Sequence, residues 1–563
     1  MRRFLAEKMR FPFFLVMAIM TAAGAGAAGG PAPDTPADRV DKLFGERYRG
    51  ASPGIAIVVV RDGKVVLRRG YGLANLEHGI PITPKTVFDI ASVSKQFAGM
   101  AVSMLIEKGS VSLEDDVRKY IPELPDFGPT ITVGHLVQHT SGLRDWPGAL
   151  ALAGWQMDDV ISFDQILTFA FNQRELNFEP GSEYMYSNTG YNLLAEMVAR
   201  ISGRTFREFT EANIFEPLGM TDTHFQDDHT EVVPNKAYAY ARGRDGTFSA
   251  VPNGLTALGS SSLYTSVEDL AKWTANFDAP KVGEGDVLER MLRRDRKPRG
   301  RAYAFGLGIG RYRGLPTLSH GGSWASFRTF LVYFPEQRFS VVVLLNSSPS
   351  DSNRAAYDVV DIYLADLLSP APDSARERPD PEAVTVDGSI LDEYVGIYRL
   401  GPAWYVRIAR NGGGLTAYAT AERVVPMTAV SETRFWVKAY SAPIIFRRDG
   451  QGRVANFRYR GMTCPKLEEV PVPGPGRLAA LTGEYESPEL GTVYTIALED
   501  GGLVARHRRH GVISLTPAYR DDFRGGTWFL RSLEFDRDDS GRVTGFTVEQ
   551  GRNRHLRFTK RGK

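Results

Sequence analysis

The segment Phe88-Asp-Ile-Ala-Ser92-Val-Ser-Lys95 decides the fold and function predicted for this 563-residue chain. Two apolar runs precede it, residues 54–60 and 64–70, and the Asp-Gly turn between them predicts a β-hairpin. From Ser92 to Glu107 the apolar residues recur at helical spacing. Ser92 therefore stands at a predicted helix start, with Lys95 one turn later on the same face.

This pair has the chemistry of a nucleophile and its base. A serine hydroxyl is a poor nucleophile at neutral pH and needs a base within hydrogen-bond reach. Burial would lower the pKa of Lys95 and let it act as that base. The free N–H groups of a helix start would also suit an oxyanion. Taken alone, however, the motif favours an N-cap serine and a solvated lysine.

Two further motifs follow Ser92 and Lys95 in order. These are Tyr186-Ser-Asn188 and His320-Gly321-Gly322, the latter just before a second predicted hairpin at residues 327–345. The three motifs together resemble the pattern of the serine β-lactamase and penicillin-binding family, most closely its class C-like branch. Three flanking stretches also look like that family: His135–Leu143, Pro217–Thr221 and Ser262–Leu270. The resemblance as a whole covers about residues 38–368.

The resemblance implies a role for each motif residue. Ser92 would attack the scissile carbonyl and form an acyl-enzyme, while Lys95 and Tyr186 would share the general-base work. Tyr186 can do so only if nearby cations lower its phenol pKa from about 10. Asn188 would hydrogen-bond the substrate amide or Lys95.

The same resemblance implies how a substrate would be held. The backbone N–H groups of Ser92 and Ser323 would form the oxyanion hole. Gly321 and Gly322 would keep their strand free of side chains, so that the substrate backbone can lie close. His320 departs from the lysine of β-lactamases, because histidine is mostly neutral at pH 7 and grips a carboxylate poorly. It resembles the version found in D-aminopeptidases and some esterases of the family.

The order of predicted elements indicates an α+β fold. Strands at both ends of residues 38–368 with helices between them predict a β-lactamase/transpeptidase-like antiparallel sheet with flanking helices and a helical lobe. A helix is expected at residues 37–48 and another at residues 355–368. Residues 369–385 form a Pro-rich, charged linker.

The remainder of the chain contains an internal repeat. Leu391–Tyr398 resembles Leu478–Tyr485, and Phe446–Val454 resembles Phe535–Val543. Short strands with regular turns predict two small antiparallel β-barrels, at residues 386–469 and 477–563. D-aminopeptidases of the family have this architecture too, and the resemblance implies that the second barrel can lend a loop to the active site.

The N-terminus has the pattern of a secretory signal peptide. Arg2, Arg3, Lys8 and Arg10 precede an apolar run and small-residue cleavage candidates, which predicts a signal peptide at residues 1–28 and export across the inner membrane to the periplasm. The alternative is an uncleaved membrane anchor.

Composition excludes several other classes. Lys and Arg number 68 against 66 Asp and Glu, which gives no case for nucleic-acid binding. The single cysteine, Cys464, permits neither an intramolecular disulfide nor a cysteine-based metal site. His135 and His139 have metal-ligand spacing, but no Glu completes a His-Glu-x-x-His motif, so neither metal nor cofactor is expected.

The C-terminal segment is locally basic. Residues 501–563 contain 14 Lys and Arg against 7 Asp and Glu. A solvated barrel surface is the expected reading, and His507 and His510 are expected to be solvated with it. Contact with an anionic polymer of the cell envelope is the alternative.

The prediction is therefore an exported serine hydrolase that cleaves peptide amide bonds, with D-residue peptides as substrates, aminopeptidase-like or carboxypeptidase-like. One alternative is an esterase or weak class C-like β-lactamase on the same scaffold. Another is a slow-acylating binding protein of the cell envelope. The expected partner is a small peptide, ester or β-lactam, and the sequence makes no prediction of oligomeric state.

Overall fold

The computed structural model describes residues 34–283, 285–292, 302–370, 381–420, 422–469 and 475–562. The predicted signal peptide lies outside these ranges, as does most of the predicted linker. Within the described ranges, every helix falls short of the length and apolar character needed to cross a membrane.

Residues 34–370 form the catalytic unit, a mixture of helices and strands. Its helices are α1 (Pro36–Arg47), α2 (Lys95–Glu107), α3 (Val133–Val137), α4 (Trp146–Leu152), α5 (Phe163–Asn172), α6 (Asn188–Ser202), α7 (Phe206–Thr210), α8 (Glu216–Leu218), α9 (Val267–Asp278), α10 (Asp286–Leu292) and α11 (Ser352–Tyr363). Its strands are β1 (Ile55–Arg61), β2 (Lys64–Tyr71), β3 (Leu73–Asn75), β4 (Ile80–Pro81), β5 (Phe88–Asp89), β6 (His224–Phe225), β7 (Ala239–Arg242), β8 (Phe248–Val251), β9 (Leu263–Thr265), β10 (Tyr303–Ala304), β11 (Leu307–Tyr312), β12 (Leu315–Trp324), β13 (Phe327–Phe334), β14 (Phe339–Leu345) and β15 (Ser347–Ser348).

The central sheet has seven antiparallel strands in the order β10-β11-β12-β13-β14-β1-β2. Both predicted hairpins are present, as β1-β2 and β13-β14. Strand β14 pairs with β1, with Ile55 opposite Leu345, so the two ends of the catalytic unit meet in one sheet. The predicted α+β class is thereby confirmed.

Strand β1 explains why its sequence is an unbroken apolar run. Ile55, Ile57 and Val59 pack in one core with α1 and α11, while Ala56, Val58 and Val60 pack in another with α2. Successive side chains of a strand point to opposite faces, and both faces are covered here. Burial of each larger side chain contributes about 1.5–3 kcal/mol.

Two predicted helices differ at their ends. The helix expected from Ser92 begins at Lys95, after a 3-10 turn over Ala91–Ser94. The helix expected at residues 355–368 is α11, which begins at Ser352 and ends at Tyr363. Asp351 accepts a hydrogen bond from the Arg354 N–H and so caps α11.

Two closed eight-stranded barrels follow, as predicted. Barrel 1 is preceded by α12 (Gly388–Tyr394) and contains β16 (Gly396–Gly401), β17 (Trp404–Asn411), β18 (Gly414–Ala419), β19 (Val424–Ala429), β20 (Arg434–Val437), β21 (Ala442–Arg448), β22 (Val454–Tyr459) and β23 (Met462–Leu467). Barrel 2 is preceded by α13 (Pro475–Ala480) and contains β24 (Gly483–Ser487), β25 (Thr492–Glu499), β26 (Gly502–His507), β27 (Gly511–Tyr519), β28 (Asp522–Gly525), β29 (Ser532–Arg537), β30 (Val543–Gln550) and β31 (Asn553–Lys560). Cys464 is buried in β23.

One end of barrel 2 is closed by the catalytic unit. Ala151 and Leu152 of α4 belong to the hydrophobic core of this barrel. His510 Nε2 donates to the Ala151 carbonyl at 2.7 Å, and His507 is buried beside the ring of Tyr494. The expectation that His507 and His510 are solvated is therefore wrong, because both lie at this interface.

The interface also accounts for part of the basic surplus of barrel 2. Four of its arginines pair with carboxylates of the catalytic unit: Arg509 with Asp159, Arg552 with Asp145, Arg554 with Glu183 and Arg557 with Glu175. Complementary charge of this kind fixes register and orientation between two surfaces. If barrel 2 contacts an anionic polymer, it would do so through its remaining basic residues.

Strand β12 lies directly against the turn that precedes α2. A Cβ atom at Gly322 would lie 2.3 Å from the Ile90 carbonyl oxygen and 2.1 Å from Thr329 Oγ1. A Cβ atom at the adjacent Gly321 would meet its nearest neighbour, in the Phe330 ring, at 3.5 Å, which is ordinary contact. The close approach of β12 to the turn therefore requires glycine at position 322 but not at position 321.

We predict that Gly322→Ala destabilises the catalytic unit by about 1–3 kcal/mol, because the added methyl overpacks a rigid contact. Its thermal unfolding midpoint, measured by circular dichroism, should fall below that of the wild type. Gly321→Ala is the matched control and should unfold at nearly the wild-type temperature. Equal midpoints for the two variants would contradict this account of the packing.

Candidate active site

Ser92 is presented by a constrained turn. Ala91 has a φ of +47°, a left-handed conformation that is unusual for a residue with a side chain. The Asp89 carboxylate accepts a hydrogen bond from the Ala91 N–H at 2.7 Å and so holds this conformation. Ala91, Val93 and Ser94 are buried, whereas Ser92 is half-buried and lines a cleft of about 1390 Å³. The turn therefore aims one hydroxyl into the cleft.

Lys95 lies at the start of α2 and is fully buried. Its Nζ atom is 3.2 Å from Ser92 Oγ, 2.8 Å from Asn188 Oδ1 and 2.7 Å from the Ser260 carbonyl oxygen. The predicted pairing of Ser92 with Lys95 is thus present as a direct contact.

Burial lowers the pKa of Lys95 well below its usual value, Asp145 acts in the opposite direction, and Arg552 adds to the lowering. A neutral amine has two N–H groups and one lone pair. Asn188 Oδ1 and the Ser260 carbonyl can only accept hydrogen bonds, so they take the two N–H groups. The lone pair is then left for the hydroxyl of Ser92, which is the arrangement that a general base requires.

Asn188 is held in one orientation by Asp145. Its Nδ2 donates to Asp145 Oδ1 at 3.0 Å, and its backbone N–H donates to the same oxygen at 2.7 Å. Its Oδ1 consequently faces Lys95. Of the two partners expected for Asn188, Lys95 is the one it contacts here, and its amide N–H groups are directed to the carboxylate.

Tyr186 lies beside this pair but departs from one expectation. Burial raises the pKa of its phenol above the usual value, and contact with Ser92 and the charge of Arg552 offset only part of that rise. The condition for Tyr186 to share the base role, a phenol pKa lowered by nearby cations, is therefore not met, because desolvation outweighs the effect of Arg552. Among the described residues its hydroxyl has no partner with normal hydrogen-bond geometry. A neutral phenol is suited to donate a proton, and the buried amine of Lys95 is the group suited to accept one.

His320 is a neutral residue with both ring nitrogens engaged. Nδ1 lies 2.7 Å from the Gly321 carbonyl, which can only accept, so Nδ1 carries the proton. Nε2, which is 2.9 Å from the Tyr303 hydroxyl, then accepts from it. Burial, with a contribution from Lys95, lowers the pKa of His320 to about 3. The expected neutrality of this position therefore follows from its surroundings, and the ring does not supply a cation.

Strand β12 forms one wall of the cleft. Gly321, Gly322 and Ser323 line the cleft together with Ser92, as their expected roles require. Gly322 also has a packing role that the sequence did not indicate. The Ile90 carbonyl and Thr329 occupy the position that a side chain at residue 322 would take.

Barrel 2 contributes Arg552 to the cleft. This residue lies in the tight turn between β30 and β31, beside Gln550, Gly551 and Asn553, which also line the cleft. Its Nη1 donates to Asp145 Oδ2 at 3.0 Å, and its guanidinium lies 4.6 Å from the centre of the Tyr186 ring. Its side chain is 49% exposed and so presents charge to the cleft. The loop that the resemblance implied is therefore this turn.

Residues that the sequence analysis did not assign to the site support the predicted ones. Asp145 orients Asn188, Tyr303 donates to His320, and Arg552 pairs with Asp145. None of them stands in a recognisable motif. His139 follows the end of α3 with a φ of +58° and packs its ring 4.2 Å from that of Tyr186. In the described ranges, no cluster of three or more His, Cys, Asp or Glu residues is arranged to hold a metal ion.

The geometry is that of a serine hydrolase of the β-lactamase and penicillin-binding fold. Comparison with known proteins agrees: residues 38–365 match the β-lactamase family, and the chain belongs to that family.

Similar proteins match most of the chain. A D-aminopeptidase of Gluconobacter oxydans is 26% identical over 465 residues, which cover 81% of this chain and 83% of that protein. A D-aminopeptidase of Brucella anthropi is 26% identical over 539 residues, covering 92% and 96%. The structure of the octameric penicillin-binding protein homologue from Pyrococcus abyssi superimposes with a TM-score of 0.55 at 23% identity, covering 84% of this chain and 99% of that one. This last likeness concerns the fold alone.

We predict that Arg552→Gln moves the acid limb of the pH–rate profile to higher pH. The enzyme is active when Lys95 is neutral, that is, above the pKa of Lys95. Loss of the nearby cation, and of the partner of Asp145, both raise that pKa. The measurement is kcat/KM for p-nitrophenyl acetate as a function of pH.

Arg554→Gln is the matched control for Arg552→Gln. Arg554 lies two residues further along the chain, in β31, and pairs with Glu183, away from Lys95. Its acid limb should coincide with that of the wild type. An acid limb that moves equally in both variants would show that Arg552 acts only through the docking of barrel 2.

Proposed function

We propose that this protein is an exported serine hydrolase that cleaves amide bonds of D-residue peptides through an acyl-enzyme on Ser92. The observation that carries the proposal is the 3.2 Å contact between Ser92 Oγ and the buried amine of Lys95. Membership of the β-lactamase family and the D-aminopeptidase relatives support the reaction class. The basic and apolar pattern of residues 1–28 supports export to the periplasm.

The first half of the reaction forms the acyl-enzyme. Ser92 Oγ attacks the substrate carbonyl while its proton passes to Lys95 Nζ. The negative charge that develops on the carbonyl oxygen is stabilised by the backbone N–H groups of Ser92 and Ser323, and one such donor typically contributes 10²- to 10³-fold in rate. As the C–N bond breaks, Tyr186 gives its phenolic proton to the leaving amine and regains one from Lys95.

The second half hydrolyses the acyl-enzyme. Lys95, neutral again, accepts a proton from a water molecule that attacks the ester carbonyl. The C–O bond to Ser92 breaks, the proton returns to Ser92 Oγ, and the carboxylic acid leaves. No step requires a cofactor.

The charge of the cleft bears on which end of the peptide is recognised. Arg552, Arg531 and Arg328 line the cleft. The two carboxylates that line the cleft are already engaged. Asp145 is bound by Arg552 and Asn188, and Asp351 caps α11. An ammonium group would meet this surplus of positive charge, whereas a carboxylate would be attracted by it. The relatives support an aminopeptidase-like enzyme, and the arginines favour a carboxypeptidase-like one as the second candidate.

The test is a panel of substrates offered to the mature protein and to Ser92→Ala. The panel contains D-Ala-p-nitroanilide, L-Ala-p-nitroanilide, p-nitrophenyl acetate and nitrocefin. We expect release from the D-anilide in preference to the L-anilide, reduced by at least about 10³-fold in the variant, because the nucleophile is gone. Turnover that survives in Ser92→Ala would refute the role of Ser92.

A matched pair of dipeptides distinguishes the two directions. N-acetyl-D-Ala-D-Ala has a carboxylate and no ammonium group, and D-Ala-D-Ala amide has the reverse. Faster hydrolysis of the first supports the carboxypeptidase-like candidate, and faster hydrolysis of the second supports the aminopeptidase-like one. Turnover of only p-nitrophenyl acetate or nitrocefin would establish the esterase or weak β-lactamase instead. Labelling of Ser92 by a fluorescent penicillin without any turnover would establish the slow-acylating binding protein.

A further inference from the structure

Barrel 1 contains a cavity of about 320 Å³ at the end opposite α12. Its walls are mainly apolar, and all of its lining residues belong to barrel 1. Eight strands make a barrel just wide enough either to be filled by its own side chains or to hold one small ligand. The cavity is therefore either a packing defect or a ligand-binding site.

Barrel 2 shows how the same end of the repeated fold is filled. Tyr494 and His507 lie inside it with their ring centres 4.7 Å apart. The Tyr494 hydroxyl donates to the Leu152 carbonyl of α4 at 2.9 Å, so the catalytic unit closes this end.

The registers of the strands identify the equivalent positions in barrel 1. Tyr398 and Tyr485 correspond, since each hydroxyl donates to the carbonyl four residues earlier, at 2.8 Å and 2.6 Å. Tyr485 is paired across the sheet with Tyr494, but Tyr398 is paired with Val406. Val406 is in turn paired with Ala419, the counterpart of His507. Barrel 1 thus has two small side chains where barrel 2 has two rings, and this difference opens the cavity.

The size and rim of the cavity indicate the chemistry of an occupant. A volume of about 320 Å³ has room for about ten groups of methylene size, at roughly 30 Å³ for each. At the rim, the Glu422 carboxylate accepts from the Tyr440 hydroxyl. Arg460 donates to the Tyr440 carbonyl at 2.7 Å, which uses one of its five N–H groups. Among the described residues, Arg460 therefore keeps donors without a partner at the mouth of an apolar space, where the Glu422 carboxylate is already bound to Tyr440.

We propose that barrel 1 binds an amphiphile with one acyl chain of about ten carbons, its chain inside the barrel and its anionic head at Arg460. Burial of the chain supplies the affinity, which rises about fourfold for each methylene group. The charge-assisted hydrogen bonds of the arginine orient the head. This site is separate from the cleft of Ser92 and does not depend on the proposed hydrolase activity.

The first test is binding of decanoate to the full mature chain, followed by isothermal titration calorimetry. Saturable binding of one decanoate is expected. The neutral 1-decanol should bind more weakly than decanoate, and decyltrimethylammonium more weakly still. The absence of decanoate binding would overturn the proposal, and tighter binding of the cationic amphiphile would overturn the assignment of an anionic head.

Variants locate the site within barrel 1. Val406→Tyr combined with Ala419→His gives barrel 1 the two rings of barrel 2 and should abolish binding, and Ala419→Leu should weaken it by about tenfold. A far-ultraviolet circular dichroism spectrum and a thermal unfolding midpoint close to those of the wild type report that these variants are folded. Binding of decanoate that persists in the double variant would place the ligand elsewhere and refute the proposal.

A fluorescence measurement tests the site without adding side chains to the barrel. Trp404 lines the cavity, so decanoate should alter the tryptophan emission of the wild type but not that of Trp404→Phe.

A charge variant tests the role of Arg460. Arg460→Gln should bind decanoate no better than 1-decanol. The control is Arg453→Gln, which breaks an exposed pair with Asp449 in the same barrel and should bind as the wild type does. Ser92→Ala should also bind as the wild type does, so failure of the hydrolase proposal and failure of this one give different results. An unchanged preference for decanoate in Arg460→Gln would refute the role of the arginine.

Discussion

The buried amine of Lys95 is the constraint on which the rest of the site depends. A lysine that is withdrawn from water either finds a charge partner or loses its proton. Among the described residues, the hydrogen-bond partners of Lys95 are neutral oxygen atoms, those of Ser92, Asn188 and Ser260, so desolvation prevails and the amine is suited to be a base. Three separate segments must therefore meet at one nitrogen atom, and the fold of the catalytic unit brings them together there.

The same constraint extends outward to barrel 2. Asn188 can face Lys95 because Asp145 holds the other side of its amide, and Asp145 is itself paired with Arg552 of barrel 2. Asn553 strengthens the link, since its side chain bonds both the N–H and the carbonyl of Asp145. Barrel 2 is thereby part of the active site, whereas the cavity inside barrel 1 is lined by residues of barrel 1 alone.

Local patterns predicted much of this arrangement. The apolar runs and turns of residues 54–70 and 327–345 predicted both hairpins, because an apolar run and turn chemistry are local properties. The spacing of Ser92 and Lys95 gave their contact, because one turn of helix brings them together. The prediction that His507 is solvated was wrong, and the pKa of Tyr186 could not be predicted, for the opposite reason. A pKa or a burial depends on every group packed nearby, including groups hundreds of residues away in the chain.

The sequence by itself determined the strands, the order of the motifs, the repeat that makes two barrels and the pairing of Ser92 with Lys95. These follow from interactions between residues that are close in the chain or from a repeated pattern. Only the tertiary structure decided that Asp145 and Arg552 stand beside Asn188 and Tyr186, that His320 has both nitrogens satisfied, and that one barrel is closed while the other is hollow. Such features arise where distant segments exclude water together, and the resulting desolvation and charge pairing have no signature in a single stretch of sequence.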